Sequence, residues 1–245
     1  MNSLFEGCFS LISINISNFN TSNVTTMDSM FHYCKSLQGI NISNFDTSKV
    51  INMKKMFSNC YSLASLDISN FNTENLINMD YMFYNSTSLT SIMLPNSNAK
   101  KVKYMNSLFG NCISLLTIDF SNFIMKDIRE MTFMFSSCFS LVSINFTNIN
   151  TDNLFEMGGM FKDCYSLTSV DLSNFNTQNV SDISNLFFNC TNLSYIDFSS
   201  FKNTSIKKIQ PIYNLPLNGQ IIVNDCFFER IKLWIPVSWS IIIKE

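Results

Sequence analysis

The chain has 245 residues, of which 46% are apolar, so it is long enough for one or two compact domains or one extended repeat array, and too apolar to be disordered. Its 16 basic and 18 acidic side chains leave a net charge of -2, which argues against nucleic-acid binding because phosphates are neutralised by a basic surface. No apolar run approaches the roughly 18 residues that span a bilayer, and the single histidine, His32, excludes most histidine-based metal sites and catalytic triads.

The dominant feature of the sequence is a repeat of constant length that runs without insertion or deletion. Phenylalanine recurs once per repeat, as Phe5, Phe31, Phe57, Phe83, Phe109, Phe135, Phe161 and Phe187. Cysteine recurs with one exception, Ser86, as Cys8, Cys34, Cys60, Cys112, Cys138, Cys164 and Cys190. Such a fixed period predicts a solenoid, because equivalent side chains then lie over one another and bury a core that no single coil could bury.

The second repeat shows what one coil contains. The alternation of Ile40 and Ile42 predicts a short strand with one buried face. Thr47 follows as a predicted N-cap residue, and the apolar spacing across residues 50–60 predicts a short helix. Because strand and helix alternate, the strands should be parallel and the connections right-handed. We therefore expect an α/β solenoid shaped as a horseshoe segment, with a parallel sheet on its concave side and short helices on its convex side.

The period ends after Ile206, which divides the chain into two predicted parts. Residues 1–206 form the solenoid of about eight units with a truncated first unit, and residues 207–245 form a C-terminal cap. Within the cap, residues 218–225 predict a strand, residues 226–234 a short helix and residues 238–245 a final strand. Because Met1 lies one full repeat before Met27, we also expect the sequence to begin inside a repeat.

The repeat resembles the leucine-rich repeat. Its frame, L-x-x-L-x-L followed by S-N-F-x-T and V-x-x-M-x-x-M-F-x-x-C-x-S-L, is most similar to the 26-residue BspA-type repeat of microbial surface proteins and lipoproteins, and residues 62–83 and 166–180 carry the similarity best. The resemblance covers residues 1–206. It implies a leucine-rich-repeat solenoid displayed on the surface of bacteria, mycoplasmas or some protists, where it would act in adhesion or host contact. It implies no catalytic residue.

The cysteines allow three interpretations. Metal sites favour C-x-x-C pairs, which single cysteines once per coil do not supply. Disulfides between neighbouring coils would fit the distance, but equivalent cysteines point the same way, and Ser86 splits the column into groups of three and four. We therefore predict small, buried thiols.

Side chains that point outward from the predicted strands form the candidate binding surface on the concave face. They are Asp67, Met93, Asp119, Asn145, Asp171, Tyr195 and Asp197. One interpretation is a solvated sheet face whose short polar side chains hydrogen-bond along the ladder. The other is an acidic, hydroxyl-lined groove for a glycan, a peptide or a basic partner. A cation between Asp171 and Asp197 would need more carboxylates than this pair offers, so we predict no metal site and no cofactor.

The fourth repeat departs from the others. Met93 and Pro95 replace polar residues, and Ser97 and Ala99 stand where the repeat usually has phenylalanine and threonine. A cluster of cations follows, formed by Lys100, Lys101 and Lys103. Two interpretations stay open: drift in a single repeat, and a local binding spot with Met93 as an exposed apolar anchor.

These observations predict a non-catalytic binding or adhesion module at the cell surface or outside the cell, which recognises a protein or glycan, such as a host surface or extracellular matrix component, through its concave face. The alternative is an intracellular leucine-rich-repeat scaffold for protein–protein interaction. An enzyme is disfavoured because the sequence offers no nucleophile–base pair, no glycine-rich phosphate loop and no convergent carboxylates. We expect neither nucleic acid as a partner nor a transmembrane segment.

Overall fold

The computed structural model describes residues 1–96, 98–202 and 205–244, so that Ser97 of the fourth repeat lies outside the described residues. The described chain is a parallel β-solenoid with very little helix. Its strands are β1 (Ser65–Asp67), β2 (Ser91–Met93), β3 (Asn98–Ala99), β4 (Thr117–Asp119), β5 (Ile124–Met125), β6 (Ser143–Asn145), β7 (Ser169–Asp171), β8 (Phe187–Phe188), β9 (Tyr195–Phe198), β10 (Ile212–Tyr213), β11 (Gln220–Asn224) and β12 (Ser240–Lys244), and its helix is α1 (Asp225–Ile231).

The main strands follow the repeat. Strands β1, β2, β4, β6, β7 and β9 each begin one repeat length after the one before, and every strand pair is parallel. The pairing joins equivalent residues, such as Leu66 with Ile92 and Ile118 with Ile144. The predicted parallel register is therefore confirmed. In the first two repeats the equivalent residues, 13–15 and 39–41, lie outside any strand, although the amide of Gln38 still donates to the carbonyl of Ile12.

A column of phenylalanine rings runs through the core and confirms the predicted stacking. Successive rings from Phe5 to Phe187 lie parallel, with centroids between 5.2 and 6.0 Å apart. From Phe31 onward each of these rings is fully buried. Offset stacking in a dry environment adds to the burial of each ring, so the column stabilises neighbouring coils against sliding or rotation.

The cysteine column lies beside these rings as buried thiols, as the sequence predicts. The Sγ atom of Cys60 donates to the Phe31 carbonyl at 3.2 Å, and the same contact recurs along the column. Burial raises the pKa of the Cys34 thiol to about 11 and that of Cys112 to about 12. At Ser86 the hydroxyl makes the equivalent bond to the Phe57 carbonyl at 2.8 Å. Serine therefore fits this position because it donates the same hydrogen bond.

The predicted helix across residues 50–60 is wrong, because this segment consists of successive β-turns. The amide of Met56 donates to the Met53 carbonyl, while the amide of Phe57 donates to the Met82 carbonyl of the next coil at 2.8 Å. Lys55 and Asn59 adopt positive φ angles of 55° and 60°, as the third residue of a type II turn must. An α-helix would use every one of these amides internally, whereas here alternate amides are directed to the next coil.

The predicted N-cap role of Thr47 is likewise wrong, as the threonines at equivalent positions (Thr21, Thr73, Thr151 and Thr177, here the threonine column) also show. The buried Thr21 hydroxyl donates to the Asp46 carbonyl at 3.0 Å and accepts from the Asp46 amide at 2.7 Å. The same type of contact recurs at Thr151 and Thr177. Each of these hydroxyls thus connects one coil to the next. An asparagine that follows the strand region makes a further contact between coils: Asn44 donates from Nδ2 to the carbonyls of residues 16, 17 and 19.

The C-terminal segment contains the predicted strand, helix and strand. Strands β11 and β12 continue the sheet in parallel fashion, in the order β12-β11-β9-β7. Helix α1 is capped by Asn224, which accepts from the Phe227 amide at 2.9 Å, and the Phe227 ring packs on Phe198 and Phe201. All five residues of β12 are exposed. No helix within the described ranges is long and apolar enough to cross a membrane.

The assignment of β-turns in place of the predicted helices can be tested with two adjacent serines, which are both half-buried. Ser137 has a φ of 61°, whereas its neighbour Ser136 does not have a positive φ. At residue 137 glycine removes the strain of a left-handed backbone conformation, which stabilises the fold. At residue 136 it only raises the entropy of the unfolded chain, which destabilises the fold. We expect Ser137→Gly to unfold with a free energy about 1 kcal/mol higher than Ser136→Gly in urea titrations. Equal losses in both variants, as in a helix, would contradict the turn assignment.

Candidate functional site

The outward positions of the main strands form a continuous polar surface, here called the strand face. Within it Asp67 lies opposite Met93, Asp119 opposite Asn145, and Asp171 opposite Asp197 in the strand registers. In each of β1, β4 and β7 the two outward residues are exposed and the middle residue is buried. The structure therefore brings the predicted site residues together as columns on one side of the solenoid.

The acidic and amide side chains of the strand face also form the turn that ends each strand. Asp67 Oδ1 accepts from the Ser69 amide at 2.8 Å, and Asn145 Oδ1 accepts from the Thr147 amide at 3.0 Å. The same bond to the residue two positions later recurs at residues 15, 41, 119, 171 and 197. These are Asx-turns, which aspartate and asparagine make equally well. These side chains thus bond within their own coil, whereas the interpretation as a solvated sheet face places the bonds along the ladder.

Tyr195 and Asp197 differ from the other candidates. Asp197 is only 5% exposed, and its Oδ2 lies 3.6 Å from the Lys244 ammonium group of β12. Tyr195 is half-buried, and burial together with the carboxylates of Asp197 and Asp171 raises the pKa of its phenol. The ammonium group of Lys244 thus supplies the positive charge beside Asp197. In the part of the chain that the structure describes, no cluster of three or more histidine, cysteine, aspartate or glutamate residues could hold a metal ion.

The fourth repeat lacks an Asx-turn for a reason visible in two residues. The Met93 side chain has no oxygen to accept a hydrogen bond, and Pro95 has no amide hydrogen to donate, so both partners of the Asx-turn bond are missing together. Met93 is 60% exposed on the strand face. Two of the nearby lysines contact neighbouring coils: Lys101 donates to Asn75 at 2.7 Å, and Lys103 lies 3.7 Å from Asp127.

The comparison with protein families agrees with this repeat architecture. Residues 1–118 and 104–216 match the model of a family described as Mycoplasma protein of unknown function, DUF285. The chain belongs to the DUF285 family. No curated protein matches it. For this DUF285 protein, the narrower resemblance to BspA-type leucine-rich repeats stays a prediction.

A second concave feature of the DUF285 protein lies on the turns and was not predicted. We name it the turn-face groove and define it by His32, Tyr33, Lys54, Lys55, Tyr81 and Tyr84, with Ser58 and Asn59 between them. Its volume is about 490 Å³. These residues occupy positions where the repeats differ from one another, and that variation is the only signal in the sequence that points to them.

The Asx-turns make stability depend on pH in a defined direction. The Ser69 hydroxyl and amide lower the pKa of Asp67 below its ordinary 3.8. Because the folded-state pKa is depressed, the stabilisation is present above pH 3.8 and is lost as the pH falls through the folded pKa. We expect Asp67→Asn, which retains the acceptor but does not titrate, to lose less stability than the wild type between pH 5 and pH 2 in urea unfolding.

The matched variant Ser69→Ala removes the hydroxyl and retains the amide donor. Its acid-induced loss of stability should lie between those of the wild type and Asp67→Asn, since the hydroxyl is the larger cause of the depressed pKa. Three identical pH profiles would refute this role of Asp67.

Proposed function

We propose that this DUF285 protein is a non-catalytic binding module that recognises a protein or glycan through its strand face. The observation that carries the proposal is the combination of a wide, exposed row of short polar side chains with the exposed Met93 among them. An apolar side chain surrounded by polar ones is the usual arrangement of an interaction hot spot. The deeply buried Phe and Cys columns below give the surface a rigid base.

The proposed location is the cell surface or the extracellular space, and the proposed partner is a host surface or matrix component. Support comes from the resemblance to BspA-type repeats and from the strand face itself, where each predicted carboxylate accepts a backbone hydrogen bond and is thereby held in place. The alternative is an intracellular scaffold with the same binding face. Protease treatment of intact cells distinguishes the two, because only a surface protein is cleaved without lysis.

Binding through the strand face can be tested with two threonines. Thr117 is an exposed outward residue of β4, and Thr25 is exposed outside the strands. In an array of matrix proteins and glycans, Thr117→Arg should lower the affinity for any bound component at least ten-fold, because the long charged side chain obstructs the middle of the strand face. Thr25→Arg introduces the same group elsewhere and should bind as the wild type does.

The contribution of Met93 is tested separately with Met93→Asp. Loss of binding with an unchanged melting temperature would support an apolar anchor, whereas full affinity would leave Met93 as drift in one repeat. Binding that survives both Thr117→Arg and Met93→Asp would refute the strand face as the recognition surface.

A further inference from the structure

The turn-face groove exists because one position of the repeat alternates between large and small side chains. His32, Ser58 and Tyr84 are equivalent residues of three successive coils. Coils repeat at a spacing of about 5 Å, so the rings of His32 and Tyr84 belong to positions about 10 Å apart with only a serine between them. The gap corresponds to a missing third ring.

Neighbouring residues fix the two walls of the groove. On one side the His32 ring packs against Tyr33 with centroids 4.3 Å apart, and His32 Nδ1 lies 3.2 Å from the Ser58 carbonyl. On the other side Tyr81 and Tyr84 pack edge to face at 5.6 Å. The Tyr84 ring lies over Gly110, where an added Cβ would come within 3.1 Å of it. Tyr84 therefore leans away from Ser58 and leaves the gap open.

The floor of the groove is polar and already organised. Asn59 donates from Nδ2 to the Ser58 hydroxyl oxygen at 3.0 Å, and its Oδ1 accepts from Asn85 at 2.7 Å. Both floor residues are buried. A floor held by such bonds needs little reordering when a ligand enters, which lowers the entropic cost of binding.

Two lysines give the groove a positive charge. Lys54 and Lys55 are half-buried, and neither ammonium group lies within 4 Å of a carboxylate among the described residues. Asp80 interacts electrostatically with Lys54. Burial raises the pKa of Asp80, and its Oδ1 accepts a hydrogen bond from the Asn106 amide. Asp28 and Glu6 interact electrostatically with His32. Asp28 and Asp80 are the equivalents of Lys54 in the two neighbouring coils, yet neither lysine is held in an ion pair among the described residues, so both ammonium groups can turn to an anionic ligand.

We propose that the turn-face groove binds an acidic sugar, a pyranose ring that carries a carboxylate. The apolar faces of a pyranose stack on aromatic rings, and a puckered sugar ring is thicker than a flat nucleobase, so it better fills the space between rings that belong to coils about 10 Å apart. The carboxylate would pair with Lys54 and Lys55, and a sugar hydroxyl with the exposed Tyr33, while Ser58 and Asn59 form the floor below the ring. A groove of about 490 Å³ accommodates a monosaccharide or a disaccharide.

This site is separate from the strand face and does not depend on the proposed function. The groove lies on turns and includes no residue of β1 to β12. Substitutions at Thr117 or Met93 should therefore leave sugar binding unchanged, so that the two proposals can fail independently.

The test uses the full chain and three small probes, measured by saturation-transfer NMR and isothermal titration calorimetry. Methyl glucuronide carries ring and charge, methyl glucoside carries the ring alone, and acetate carries the charge alone. We expect methyl glucuronide to bind at least ten-fold more tightly than either of the other two. The double variant Lys54→Gln/Lys55→Gln should lose at least ten-fold for methyl glucuronide and bind methyl glucoside as the wild type does.

Two control variants keep the result interpretable. Lys101→Gln removes a lysine that contacts Asn75, and Tyr213→Leu removes an exposed ring that stacks on Phe188, both outside the groove. Both should bind methyl glucuronide normally, whereas Tyr33→Leu, which removes an exposed wall residue, should weaken it. Urea midpoints verify that each variant is folded.

The proposal is overturned by any of three results. Methyl glucuronide that does not bind refutes the site. Equal affinity for methyl glucoside refutes the role of the lysines, and equal affinity for acetate reduces the groove to a general anion site without sugar recognition.

Discussion

The structure depends on backbone hydrogen bonds that leave one coil and end on the next. On the turns, the amides of Met27, Ser29 and Phe31 donate to carbonyls of the following coil, and the same pattern recurs along the solenoid. A single coil would leave these groups without a partner, and buried backbone groups without partners are costly. The constraint explains the uninterrupted period, because one inserted residue would shift every later amide away from its carbonyl. It also places equivalent side chains directly over one another, which produces the ring, thiol and threonine columns.

The sequence allowed the interior to be predicted more completely than the backbone. Stacked Phe rings, parallel strands and the final strand, helix and strand follow from spacing alone. The helix prediction failed because turns of four residues bury apolar side chains at intervals of 3 and 4, just as a helix does. The distinguishing signal was present at residues that tolerate positive φ: Asn59, Asn85 and Asn111 recur at one such position. Thr47 was misassigned because a threonine hydroxyl at this position can cap a helix or bond to the next coil, and here it donates to the Asn72 carbonyl.

The candidate sites were predictable to different degrees. Outward positions of a strand follow from its two-residue period, so the placement of the strand-face residues in columns could be predicted. The sequence also carries a signal for its Asx-turns: an aspartate or asparagine stands two residues before a serine or threonine, as Asp67 before Ser69, and in the fourth repeat Met93 and Pro95 replace both. The burial of Asp197 was not predictable, because Lys244 reaches it from a strand outside the repeat. The turn-face groove needed knowledge of which turn residues adjoin across coils, and the incorrect helix would have placed them differently.

A repeat array separates the residues that build it from those that can recognise something. Phe57 has the same identity in every repeat because its ring stacks on its equivalent in the neighbouring coil, and Thr47 donates to the Asn72 carbonyl of the next coil. Side chains that point outward from a turn make no such contact. There His32, Ser58 and Tyr84 differ in identity, although their backbone amides make equivalent hydrogen bonds. Chemical recognition requires unlike groups held in fixed positions. A solenoid can supply them only where its repeats depart from one another, which is why the most distinctive surface lies on the irregular side chains of a regular backbone.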